Sequence, residues 1–217
     1  MNMHDHGAAL AILIDRHVGT SGSGILFEDA ASVSDLDVNR MVIHGRGVVT
    51  VAVFAERALK LGLSRMTGAG PTGRRFLTTV EAAACQETGI SAAERAMTIA
   101  VMGSPGAHAG ELVAPGHILP SLAASRFEPG EPLADTALRS LQAHRGTLAL
   151  AWCDILGEHG DIGTASHCAE LAGRLSIPLF ERSGAHIVPA ICRDQSSITM
   201  ASPLSIGDQG LNIAQFA

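Results

Sequence analysis

Two aspartates stand where an apolar run stops. Asp15 closes AALAILI and opens DRHVGTSGSG, residues 15–24, and Asp154 closes LALAWCD. Rigid strand ends are common places to hold working groups. A carboxylate in a drier pocket gains a raised pKa and can carry protons. The same loop ends in SGSG, and glycine-serine loops can cradle phosphate on backbone N–H groups when a helix follows. Here ILF follows and reads as a strand, and G-x-x-x-x-G-K-[ST] is missing, so a flexible turn is the expected reading. Among ten histidines, HGDIGTASHC clusters His159, Asp161, His167 and Cys168. These are zinc-type ligands at a spacing that matches no tight metal signature. His117, in APGHILP, lies between a Pro-Gly turn and an apolar segment, where a structural histidine is the plain expectation.

The elements that must position these groups read as short apolar strands alternating irregularly with amphipathic helices. Strands are expected over 8–14, 24–27, 48–54, 76–80, 147–155 and 187–191. Helices are expected over 34–43, 55–61, 92–102, 133–143 and 164–175. Ser91 with Glu94 three residues on spells a capping box, and Thr164 can cap the helix that carries His167. The order predicts one α+β or layered α/β domain over 1–217, with no repeat and no linker-like tract.

Composition narrows the function class. With 217 residues, 47% of them hydrophobic and 17% charged, the chain can bury a core and is a poor candidate for disorder. The formal net charge is −6, and no basic block is present, which argues against nucleic acid. No apolar run could span a bilayer, and the start MNMHDHG lacks a signal pattern. Four scattered cysteines without a C-x-x-C pair suit a reducing compartment, so a cytoplasmic protein is expected.

The middle of the chain carries the most specific signal. TTVEAAACQETGISAAERAMTIAVM followed by ELVAPGHILP resembles the core of the 3,4-dihydroxy-2-butanone 4-phosphate synthase family, with its T-x-E-A, T-G-x-S-A-x-[DE]-R and P-G-H-[VI]-F-P segments. IHGRGVVTVAV and LAWCDILGEHGDIGTASHCAELAGRLSIPLF extend the resemblance over roughly residues 8 to 192, leaving a tail from Arg193. The resemblance implies a compact three-layer α-β-α sandwich that pairs as a homodimer, with sites at or near the subunit interface. It also implies a reaction on ribulose 5-phosphate that passes through enolisation, dehydration and rearrangement to loss of formate. Mg²⁺ polarises the enediol oxygens there.

Position by position, the family's charged groups are depleted. Asp15 matches the first acid of the family's acidic loop, whose arginine falls on Gly19 and whose metal-binding glutamate falls on Thr20. Its later glutamate falls on Gly22 and its final aspartate on Gly24. Against the family's R-G-G-H-T-E-A this chain reads EPLADTA, so the metal-binding histidine becomes Ala134, the phosphate arginine Glu131 and the threonine Asp135. A phosphate would then meet a carboxylate, and two charges about 4 Å apart interact by roughly 4 kcal/mol at an effective dielectric of about 20. Asp154 stands at the family's essential glutamate and Thr50 at its cysteine.

Three functions follow as expectations. The first is a repurposed enzyme on a small non-phosphorylated metabolite, of lyase, isomerase or cyclase type and without the parental reaction. It needs no cofactor or metal, uses Asp154 and Asp15 for acid-base work, and contacts substrate through Thr50, Thr20, His117 and Asp135. The second is an inactive homologue that binds a small molecule or a partner chain. The third is a genuine synthase with an unusual metal site.

Overall fold

In the computed structural model, which describes residues 10–66 and 75–190, eight strands form one mixed sheet. The strands are β1 (Ala11–Asp15), β2 (Ser23–Asp29), β3 (Thr50–Val53), β4 (Val80–Ala82), β5 (Leu112–Leu122), β6 (Ala149–Asp154), β7 (Leu179–Ser183) and β8 (His186–Pro189). Their order is β4-β5-β3-β6-β2-β1-β7-β8. The helices are α1 (Asp35–Arg40), α2 (Ala55–Lys60), α3 (Ala92–Gly103), α4 (Leu133–Arg145) and α5 (Ala165–Leu175). All five fall in the segments where apolar spacing predicts them. A π turn, Met41–Gly45, completes the segment expected to be helical from Ser34.

Period-two alternation divides the sheet between two cores. Ile12, Ile14, Leu26, Val51, Ala151 and Cys153 point to the face that packs Val38 of α1, Ile99 and Met102 of α3, and Cys168 and Leu171 of α5. Leu13, Phe27, Ala52, Leu150, Trp152 and Phe180 point to the other face, against Leu133, Ala134, Ala137, Leu138 and Leu141 of α4. The α4 stripe repeats at the spacing of one helix face. The helix ends at Gly146, whose φ of 72° suits a residue without a Cβ. This is the three-layer arrangement the resemblance implies. No helix among the described residues is long and apolar enough to cross a membrane.

Two strands escape the sequence reading. β5 contains Pro115 and Gly116, which read as punctuation, and Pro120, yet it is the longest strand among the described residues. Its first half is largely exposed, so no alternation marks it. β7, LFERS, is short and half polar. Conversely, the stretch expected as a strand over 76–80 contributes only isolated bridges at Phe76 and Leu77 before β4. The expected ends at Ala8 and Ile191, and the tail from Arg193, lie outside the described residues.

The capping box at Ser91 is half realised. Ser91 accepts from the Glu94 backbone N–H, as predicted. The Glu94 carboxylate does not reach back to the cap. It accepts from the backbone N–H groups of Gln86, Glu87 and Gly89 instead, and these bonds hold its pKa below the usual carboxylate value. Three orphan donors in one loop outweigh one at the cap. Glu94→Gln should therefore lower stability at neutral pH, because an amide offers one acceptor oxygen for three donors. A depressed carboxylate stabilises the fold above its unfolded pKa and loses that contribution as pH falls. The gap between wild type and variant should shrink in urea melts below about pH 4; a pH-independent gap would contradict the role.

Candidate functional site

Strand register brings the two sequence-marked aspartates to one end of the sheet. Asp15 pairs with Ser23 at the mouth of the β1–β2 hairpin, and Ile25, two residues on, pairs with Asp154. Thr50 pairs with Trp152 of β6 on one side and Leu119 of β5 on the other. Parity then orients the side chains. Asp15 follows Ala11 and Leu13, Asp154 follows Leu150 and Trp152, and Thr50 precedes Ala52, so all three belong to the α4 face. Asp154 lines a cavity of about 190 Å³ with Val18, Ser23, Ala134, Trp152 and Arg182. Thr50, paired with Trp152, is buried and does not line this cavity, its hydroxyl donating to the Val48 carbonyl at 3.2 Å.

Arg182 is the member that sequence reasoning missed. Parallel pairing of β7 with β1 sets Ile14 opposite Glu181, so Arg182 falls beside Asp15. Its parity with Phe180 puts it on the α4 face. The guanidinium ion-pairs with Asp15 and donates to the Glu131 carbonyl at 2.7 Å. The other Asp15 oxygen accepts from the His17 backbone N–H at 2.8 Å. One signal was available: LFERS places Arg182 two residues after an apolar Phe180. Nothing in the sequence tells that β7 runs beside β1.

Glu131, in the loop before α4, borders the cavity, but its carboxylate is not left unpaired. Glu131 is fully buried and turned inward, ion-paired with Arg139 and accepting from the Thr136 hydroxyl at 2.6 Å. Arg139 also lies over the Phe127 ring, 6.0 Å from its centre. Asp135 lines a second cavity of about 180 Å³, which shares Trp152 and residues 130–132 with the first and is bordered by Arg75 and Ser121. Asp135 accepts from the Ala124 backbone N–H at 2.8 Å, and burial pushes its pKa up to about 6. Thr20 is exposed on the hairpin loop and lines neither cavity. His117 also lines neither, with its Nδ1 3.4 Å from Glu81. It does sit off the same end of β3 as Asp154: His117 is two residues before Leu119, and Asp154 two after Trp152.

These donors do not fit a magnesium ion. Ala134 gives the cavity a methyl group, and both oxygens of Asp15 are already engaged by His17 and Arg182. Gly22 and Gly24 have no room for acids. A Cβ at Gly22, where φ is +69°, would lie 2.5 Å from the Asp15 carbonyl and 2.8 Å from Ala165 Cβ; one at Gly24 would lie 2.7 Å from Cys168 Sγ. Their neighbours Ile14, Ala165 and Cys168 belong to the core on the sheet face opposite the cavity, so the crowding there is a packing constraint and not part of the site. Burial pushes the Cys168 thiol up to about 12, which leaves it an inert packing group. Among the described residues no three His, Cys, Asp or Glu side chains converge, those of HGDIGTASHC included.

The sequence of the chain matches the profile of the 3,4-dihydroxy-2-butanone 4-phosphate synthase family over residues 7–184. A synthase of that name from Chromobacterium violaceum is 31% identical over 159 residues, covering 71% of this chain and 74% of the relative. One from Pseudomonas aeruginosa is 39% identical over 128 residues, 58% of this chain and 33% of the relative. The crystal structure of a two-domain synthase from A. baumannii superposes with a TM-score of 0.69 at 28% identity, covering 81% of this chain and 52% of that one. The chain therefore spans a third to a half of the length of these two longer proteins. The relatives overturn the expected repurposed enzyme with non-parental lyase, isomerase or cyclase chemistry on a non-phosphorylated metabolite: all three are named for the parental, phosphorylated product. Lost charges in one loop suggest a lost reaction, whereas the match runs from β1 through β7 and across both cores. This chain belongs to the 3,4-dihydroxy-2-butanone 4-phosphate synthase family.

Proposed function

We propose that the chain carries out the reaction for which its relatives are named, converting ribulose 5-phosphate to 3,4-dihydroxy-2-butanone 4-phosphate and formate. The observation that carries this reading is the gathering of Asp15, Thr50, Asp154 and Arg182 on one sheet face at one end. In it, the Asp154 carboxylate takes the proton from the carbon beside the ketose carbonyl. Charge then develops on the carbonyl oxygen, and a fixed donor is needed to hold it. Thr50 is buried behind this end of the sheet and supports it, and His117 with Glu81 offers a second proton carrier off the same end of β3. Asp135 borders the adjoining cavity, where Arg75 supplies positive charge. The protein works as a homodimer in this reading, supported by the exposed apolar side chains Val48, Ile90, Met97 and Val113.

Purified protein given ribulose 5-phosphate should release formate, and Asp154→Asn should slow release by at least about 100-fold. Formate release no faster than that of Asp154→Asn overturns the reading. A second reading, an inactive homologue that binds a small molecule, is favoured by one observation. The family's phosphate arginine is Glu131 here, locked to Arg139 and Thr136. Saturable binding of ribulose 5-phosphate without formate release would select it.

A further inference from the structure

We propose that Arg182 supplies, as a built-in guanidinium, the positive charge that anionic oxygens of the ligand meet in this site, so that the ligand binds without a divalent cation. This rests on the reading that the site takes a phosphorylated ketose. Three observations carry it. The charge is in the right place: Arg182 lines the same cavity as Asp154, on the same face and at the same end of the sheet. It is rigidly held, because the side chain is 11% exposed and anchored to Asp15 and to the Glu131 carbonyl. It also stands where a metal would need ligands. Asp15 is the one family loop acid retained, and Arg182 already occupies one of its oxygens while the His17 N–H occupies the other.

The chemistry is consistent with exchange of one cation for another. A guanidinium is always protonated and has five N–H donors in a fixed plane, of which these two contacts use two. Bidentate recognition of phosphate or of an enediolate is within its reach. Its charge is partly offset by Asp15, so it acts as an oriented donor set rather than as a bare cation. Asp15 is the one acid left in the loop, and both of its oxygens are engaged.

The test is titration calorimetry with ribulose 5-phosphate, and separately with inorganic phosphate, in EDTA and in excess Mg²⁺. Wild type is compared with Arg182→Lys and with the double variant Asp15→Asn/Arg182→Met, in which no buried charge is left alone. Thermal melts establish that each variant is folded. Wild-type affinity should be the same in EDTA and Mg²⁺. It should fall at least about tenfold in the folded double variant, the scale of a lost charged hydrogen bond, and to a smaller extent in Arg182→Lys. Loss of phosphate binding as well as sugar phosphate binding places the phosphoryl group on Arg182; loss of sugar phosphate binding alone places the enediol end there. Binding that requires Mg²⁺, stoichiometric Mn²⁺ binding that Asp15→Asn abolishes, or equal wild-type and double-variant affinities (none in either included) would overturn the inference. Arg182-dependent binding without formate release would overturn the synthase reading alone. Formate release with Mg²⁺-dependent binding would overturn this inference alone.

Discussion

Arg182→Met should cost about 3–5 kcal/mol of stability, the range for removing one partner of a buried ion pair. The reason is the group it leaves behind. Asp15 is 2% exposed at the end of β1, and its carboxylate then keeps only the His17 N–H. A buried carboxylate without its cation must either stay charged at high cost or take up a proton. Asp15→Asn/Arg182→Met removes both charges and should recover most of the loss, because the pair's mutual attraction largely offsets its own desolvation. The lost donation to the Glu131 carbonyl is common to both variants, so it cancels in the comparison. Chemical denaturation at neutral pH measures both. A single-variant loss under about 1 kcal/mol, the range of an exposed pair, would show that Asp15 is solvated.

Glu28→Gln should stabilise the protein, and only above the ordinary carboxylate range. Glu28 lies on β2, its parity turning it toward α1 and away from the candidate site. Burial first, then the nearby charges of Asp37 and Asp29, push its pKa from 4.5 to about 8, with Arg40 opposing. Its Oε2 has no hydrogen-bond partner among the described residues. The sign follows from linkage. Below pH 4.5 the folded and unfolded states are both protonated at this site, and Glu28 adds no pH dependence. Between about 4.5 and 8 the unfolded chain ionises while the folded one does not, so stability falls as pH rises. Above about 8 both are ionised and the full penalty remains. Each tenfold change in proton affinity is worth about 1.4 kcal/mol. Allowing for relaxation around the charge, the variant should gain about 3 kcal/mol at about pH 8.5 and almost nothing at about pH 4. Urea melts across that range decide it. Parallel pH profiles for wild type and variant would mean that Glu28 reaches water.

Local pattern carried the fold a long way. The five helices follow from apolar spacing and from caps such as Thr164, which accepts from the His167 N–H as its position suggests. The central strands follow from their apolar runs. β5 and β7 were hidden for a physical reason: each has one face or one end exposed, and prolines or charges replace the alternation. Glu94 teaches a similar lesson. A capping-box pattern states which donors are near in sequence, and the folded loop offered three that were nearer in space.

The site divides in the same way. The sequence by itself determined that Asp15 and Asp154 end strands and that all but one of the family's loop acids and its metal histidine are missing here. Only the tertiary structure decided what those losses became. Parallel pairing of β7 with β1, strands separated by about 165 residues of chain, delivered Arg182 to Asp15. Packing of α5 against Gly22 and Gly24 took place on the opposite face of the sheet and left the cavity to α4. Arg139 neutralised Glu131 at the wall shared by the two cavities. Side-chain parity is a local property with a period of two residues, so a sequence exposes it. The partner that satisfies a buried charge is set by which distant strands and helices meet, and no local period encodes that.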